Sequence, residues 1–227
     1  MPEGFFVSSE SLQSRMREAL AGDVEAMIEV ADSLSATARN SNSEESVPEL
    51  AVEMYEMAIG AGSTTAYVHW SLELHRFQRT DEAIHLLTKG ATTGDSEIYW
   101  NLGGMLWSLG RMDESEPWLR RAAENGHVLA MVSLGIVLQQ SGCGEDACSW
   151  WRKAADLGNG DSMINLGLFE FEILGESSSG ARFWFEQAME VGHPKAAELL
   201  EGLNRAETGA EPSRRSHRSL FKRRQRE

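Results

Sequence analysis

The chain has 227 residues, a formal net charge of −14 and 41% hydrophobic residues. That length suffices for one domain with a substantial core, while two cysteines exclude a disulfide framework. No 18-residue apolar run and no basic-then-apolar N-terminus is present, so neither a membrane-spanning helix nor a signal peptide is indicated and a cytoplasmic protein is the simplest reading.

Residues 1–8 form an unassigned segment in which Phe5 and Phe6 can pack on the first helix. Residues 9–21 place Leu12, Met16 and Leu20 on one face and read as a capping helix of an incomplete unit. Residues 24–37 begin the first full unit, followed by a polar run over 39–47 that reads as an exposed loop. Helices are then predicted over 48–61, 64–77, 81–93, 95–109, 114–125, 127–140, 145–157, 159–174, 179–191 and 194–205. A polar loop, GESSSG, interrupts the last full unit, and beyond Glu207 apolar residues nearly vanish apart from Leu220 and Phe221.

The organising feature is a repeat. Gly62, Gly94, Gly126 and Gly158 each close an amphipathic run and stand 32 residues apart, with Gly22 and Gly192 as outlying copies. In the same phase lie Ala58, Gly90, Ala122, Ala154 and Ala188 four residues earlier, and Met54, Leu86, Trp118, Trp150 and Trp184 eight earlier. Ala51, Ala83, Ser115, Ala147 and Ala181 lie eleven earlier; Ala26, Ala66, Ile98, Ala130, Ser162 and Ala196 lie four later. Each glycine suits a helix C-terminus, where positive φ costs it little. Asp23, Ser63, Asp95 and Asn159 follow as N-caps, and His127 and His193 hold the same slot. Pro194 suits a first helical position. Small residues let the paired helices approach, and each pair needs neighbours to bury its apolar face.

These residues resemble the Sel1-like repeat, a relative of the tetratricopeptide repeat. The pattern reads here as Ala130, Leu134-Gly135, Ala147, Trp150-Trp151, Ala154-Ala155 and Gly158. The loops 108–113 and 140–145 are shorter than the Sel1 norm and closer to the tetratricopeptide length. The resemblance implies an all-α, right-handed α-solenoid of about five helix-pair repeats over residues 9–206 that binds other proteins.

It also implies that the first helix of each unit lines a concave face. If so, that face carries Val68, Leu72, His75, Arg76, Glu97, Trp100, Trp107, Val132, Ile136, Gln139, Leu168 and Phe171, with Gly104, Ser108, Gln140 and Ile164 beside them. Trp100 and Trp107 are seven apart and share one side of a helix. They are either anchors for a peptide or helix of a partner or ordinary core. His69, His75 and His85 do not converge at metal-ligand spacing and read as surface or capping histidines. Cys143 and Cys148 lack a second pair, so Cys143 reads as a loop thiol and Cys148 as a helix residue. No phosphate loop, nucleophile elbow or dinucleotide fingerprint is present. A non-enzymatic adaptor is therefore expected, with no cofactor, metal or small-molecule substrate.

Charge is uneven. Residues 211–227 hold Arg214, Arg215, Arg218, Lys222, Arg223, Arg224 and Arg226 against Glu211 and Glu227, a net of +5 that leaves −19 for the rest. Residues 207–227 are expected to be a disordered tail. It is expected to act, if at all, on an anionic membrane, on nucleic acid or by folding back on the acidic body, with Ser213, Ser216 and Ser219 placed to modulate it.

Overall fold

The computed structural model describes residues 9–41, 47–174 and 179–207. Among them are twelve α-helices and no strand. They are α1 (Ser9–Leu20), α2 (Val24–Ser41), α3 (Glu49–Gly60), α4 (Thr65–Arg76), α5 (Thr80–Gly90), α6 (Ser96–Ser108), α7 (Met112–Glu124), α8 (Val128–Gln140), α9 (Gly144–Asp156), α10 (Gly160–Leu174), α11 (Ser179–Glu190) and α12 (Ala196–Glu207). A single 3₁₀ turn, Ala91–Thr93, follows α5. Residues 1–8, the centre of the polar run at 42–46, the loop at 175–178 and the tail from 208 on lie outside the described residues.

The chain divides into two compact units, one ending at Val137 and one beginning at Leu138. In the first, α1 packs on α2, α2 on α3, α4 on α5 and α6 on α7. The first helices also meet each other, α2 against α4 and α4 against α6. The core of this unit includes Val30, Met54, Tyr55, Leu87, Ile98 and Leu102. In the second unit α10 packs on α9 and α11, and α11 on α12, around Trp151, Ile164, Leu166 and Phe185.

Local chemistry explains the boundaries. Every glycine that opens a repeat interval, from Gly22 to Gly192, has positive φ. Asp23, Ser63, Asp95 and Asn159 each accept a backbone N–H from the first turn of the following helix. The histidines in that slot do the same through the ring. The Ala130 N–H donates to His127 Nδ1 at 3.1 Å, so the proton sits on Nε2, which donates to Glu97 Oε2 at 2.9 Å. His193 repeats this in the second unit, accepting from the Lys195 N–H and reaching Asp161 at 3.2 Å. Each histidine thus caps one first helix and ties it to the one before.

Two expectations need correction. Pro194 precedes α12 by two residues rather than opening it. The helix before the polar run continues to Ser41, so Arg39 is helical and not part of a loop. Its guanidinium pairs with Glu73 of α4, a carboxylate only 3% exposed. Burying that carboxylate without a partner would be costly, and the ion pair favours the extra helical turn.

The turn within each unit also has a register. Gly110 and Gly142 adopt positive φ 32 residues apart, and the equivalent position in the preceding unit is Gln78, at φ 62°. A side chain there strains the backbone by about 1 kcal/mol. Gln78→Gly is expected to raise the unfolding free energy by about 0.5–1 kcal/mol, read as a higher urea midpoint at unchanged slope.

Candidate protein-docking face

The predicted groove residues sort by burial. Val68 and Val132 are only 7% and 8% exposed, and Ile164 is fully buried. These three belong to the packing between helices and offer a ligand little surface, which corrects their expected place on an open face. Leu72, Trp100 and Ile136 are half-buried, and His75, Arg76, Glu97, Trp107 and Ser108 are exposed. All of these lie in the first unit. Gln139, Leu168 and Phe171 are half-buried and Gln140 is exposed, all in the second.

The two tryptophans differ. The Trp100 indole stacks on His127 at 5.0 Å, and its Nε1–H donates to Ser133 Oγ at 3.3 Å. It bridges α6 and α8, and its ring position is set by the repeat-to-repeat cap. Trp107, two turns on, is 37% exposed. One turn before it, Gly104 faces open space: a Cβ there would meet nothing within 4 Å. Gly103 beside it would drive a Cβ to 2.7 Å from Leu119. Gly103 lets α7 approach α6, while a Cβ at its neighbour Gly104 would stand in open space.

Sequence reasoning missed a row of polar groups. His69, Asn101 and Ser133 share one register at 32-residue spacing, and all are partly exposed on first helices. The signal was available, since polar residues recur there among apolar neighbours. Asn101 Nδ2 donates to the Glu97 backbone carbonyl at 2.8 Å and to its carboxylate at 3.1 Å.

His69 is not the simple surface histidine expected. Its Nδ1 lies 2.7 Å from Asp32 Oδ2, and Asp32 Oδ1 accepts the Tyr55 hydroxyl at 2.5 Å. Tyr55 stacks on Trp70 with ring centroids 6.0 Å apart. One carboxylate thus joins α2, α3 and α4. Seven residues further along each helix, Arg39 and Arg76 flank the buried Glu73. The Glu73–Arg76 pair is an i,i+3 contact within α4, but no spacing rule within one helix could have found the Asp32 and Arg39 contacts, because their partners come from other helices. Burial, reinforced by the bond to Asp32, holds the Tyr55 hydroxyl far above the ordinary phenol range. The hydrogen bond to Asp32 raises the His69 pKa, opposed by partial burial.

The sign of the pH effect follows. A raised folded pKa means that protonated His69 stabilises the fold below its unfolded value of about 6.5, and that this stabilisation is lost as pH rises through the folded value. The melting temperature of the wild-type chain, relative to His69→Gln, is expected to fall steadily as pH is raised through that window. A difference independent of pH would show that the imidazolium does not hold α2 to α4.

Among the described residues no cluster of three or more His, Cys, Asp or Glu side chains is placed to hold a metal ion. Both cysteines are free thiols, and burial pushes the Cys148 thiol above its ordinary range. No helix among the described residues is long and apolar enough to cross a membrane.

Solved structures share this arrangement of helices. A protective antigen of uropathogenic Escherichia coli strains displaying an SLR fold superimposes with a TM-score of 0.64 over 87% of this chain, at 24% identity. The chain has the fold of Sel1-like and tetratricopeptide repeat proteins. It spans 44% of that antigen's length. A Sel1 repeat protein from Oxalobacter formigenes matches with a TM-score of 0.58 at 18% identity, over 89% of this chain and 94% of that one. YrrB, a tetratricopeptide protein with an unusual peptide-binding site, matches with a TM-score of 0.55 at 19% identity, over 86% and 99%. No protein-family model matches the sequence, and no curated protein matches it.

Proposed function

We propose that this repeat protein is a non-enzymatic adaptor whose first-helix face in the unit ending at Val137 binds a peptide or helix of another protein. The observation that carries the reading is Trp107, a large ring left 37% exposed on a first helix. A large aromatic ring left partly exposed offers a partner side chain contact area at a small cost in conformational entropy. Leu72 and Ile136 add apolar surface, while His69, Asn101 and Ser133 offer groups able to bond a peptide backbone. That a protein of this fold carries a peptide-binding site supports the reading.

The test is retention of a partner from native lysate by immobilised full-length chain, Trp107→Ala and a 1–210 truncation. A protein held by the full chain and the truncation, and lost with Trp107→Ala, supports the docking face. Retention indifferent to Trp107 overturns it.

The charge asymmetry favours a second reading, in which the chain acts through its tail. Arg214, Arg215, Arg218, Lys222, Arg223, Arg224 and Arg226 would then meet an anionic membrane or nucleic acid, or the acidic remainder of the chain. The tail lies outside the described residues. Unchanged localisation and partner affinity in the 1–210 truncation would remove this reading.

A further inference from the structure

One row on the first-helix face keeps its donors for the protein and offers acceptors. Seven residues after Gly22, Gly62, Gly94 and Gly126 stand Glu29, His69, Asn101 and Ser133, all in the unit ending at Val137 and all at least partly exposed. Glu29 is a carboxylate with 44% of its side chain exposed. His69 directs Nδ1 at Asp32 Oδ2, an oxygen that can only accept, so the hydrogen of the neutral ring lies on Nδ1 and Nε2 carries a lone pair. Asn101 turns its amide nitrogen to Glu97, 2.8 Å from the backbone carbonyl and 3.1 Å from the carboxylate, which leaves Oδ1 as the group it offers. Ser133 donates its hydroxyl hydrogen to the Leu129 carbonyl at 2.9 Å.

Charge narrows the class of donor that fits. Glu97 stands one turn before Asn101 with 50% of its side chain exposed. Its partners are the Asn101 amide and the neutral His127 ring, so its charge is not cancelled. Arg15 bonds Glu29 but also Glu18, one cation between two carboxylates. A positively charged N–H donor complements this row, whereas a carboxylate would meet lone pairs and like charge.

We propose that the occupant of this face is an extended segment of another protein that carries lysine or arginine side chains about three residues apart. This rests on the docking role proposed above and names the chemistry of the partner. The spacing follows from the stack. Helix α2 packs against α4, and α4 against α6; helices in contact lie about 8–10 Å apart. Three residues of extended chain span about 10 Å, so side chains at i, i+3 and i+6 meet successive positions of the row. Trp107 takes an apolar residue of the same segment. The net charge of −19 outside residues 211–227 draws a cationic segment in from solution.

The test is a fluorescence-anisotropy titration with a labelled peptide of Arg-Ser-Pro triplets ending in leucine, whose prolines hold it extended. It is run on the full chain and on the 1–210 truncation, in alkaline buffer that keeps the His69 ring neutral. The arginine peptide is expected to bind and its Glu-Ser-Pro counterpart is not. Glu97→Gln and Asn101→Leu are each expected to weaken binding about fivefold, and Glu53→Gln, at an exposed carboxylate on the second helix α3, is expected to leave it unchanged. Binding by the truncation alone would mean that the arginines of residues 211–227 compete for the row, which supports the same chemistry. No preference for arginine over glutamate overturns the proposal. So does an equal loss with Glu53→Gln, which would be attraction to the acidic chain as a whole. The same variants enter the lysate retention. A partner lost with Trp107→Ala but held by both Glu97→Gln and Asn101→Leu overturns the acceptor row and leaves the docking face standing. Should Asn101→Leu fail to fold, Glu97→Gln carries the comparison, since its amide oxygen still accepts from His127.

Discussion

Gly103→Ala is expected to cost about 2–3 kcal/mol of stability, while Gly104→Ala one residue later is expected to be neutral or stabilising by up to about 1 kcal/mol. Propensity treats the two alike, since alanine is the better helix former at either site. Packing separates them. At Gly103 a Cβ would sit 2.7 Å from Leu119 Cγ and 3.1 Å from its backbone nitrogen, and Leu119 is fully buried with nowhere to go. The helices would have to part, weakening the bond from the buried Ser115 hydroxyl to the Gly103 carbonyl, now 2.7 Å. At Gly104 the added methyl meets nothing. Urea unfolding of the two variants checks this. Equal effects would mean that α6 and α7 do not approach as closely as described.

The tryptophan pair carries the second large contrast. Trp107→Ala is expected to leave the melting temperature within a few degrees of wild type and to weaken partner binding at least tenfold, as loss of an interface anchor does. Trp100→Ala is expected to cost about 2–4 kcal/mol of stability, because its ring stacks on His127 and bonds Ser133. Its effect on binding would follow from disorder at the junction of α6 and α8. Calorimetric melting of both variants, followed by titration of whichever partner the full chain retains, separates the roles. A Trp107→Ala chain that unfolds early would make Trp107 part of the core and remove the basis for the docking face.

Much of the architecture was legible because it is local. Glycine at a helix end, a capping residue after it and small residues within are requirements met inside a few residues, and a 32-residue period repeats them. Hence the caps at Asp23, Ser63, Asp95, His127, Asn159 and His193 could be read before any contact was known. Gln78 in a glycine slot was equally visible once the register was known. The open space beside Gly104 was readable only as a suggestion, since a glycine that makes room and a glycine that is crowded look the same in sequence.

What the tertiary structure alone decided are relations between helices distant in the chain. Arg39 extends its helix because Glu73, thirty-four residues later, needs a cation. Asp32 finds both Tyr55 and His69, so a histidine read as surface becomes part of a link among three helices. Val68 and Val132 fall inside and Trp107 outside, although the helical period places all three on one side. Sequence periodicity fixes which side of a helix a residue lies on; the distance to the neighbouring helix fixes whether that side is packed or open. The caps and the period are properties of one helix and its turn. The ion pairs and the burial of each groove position depend on how adjacent helices fill the space between them.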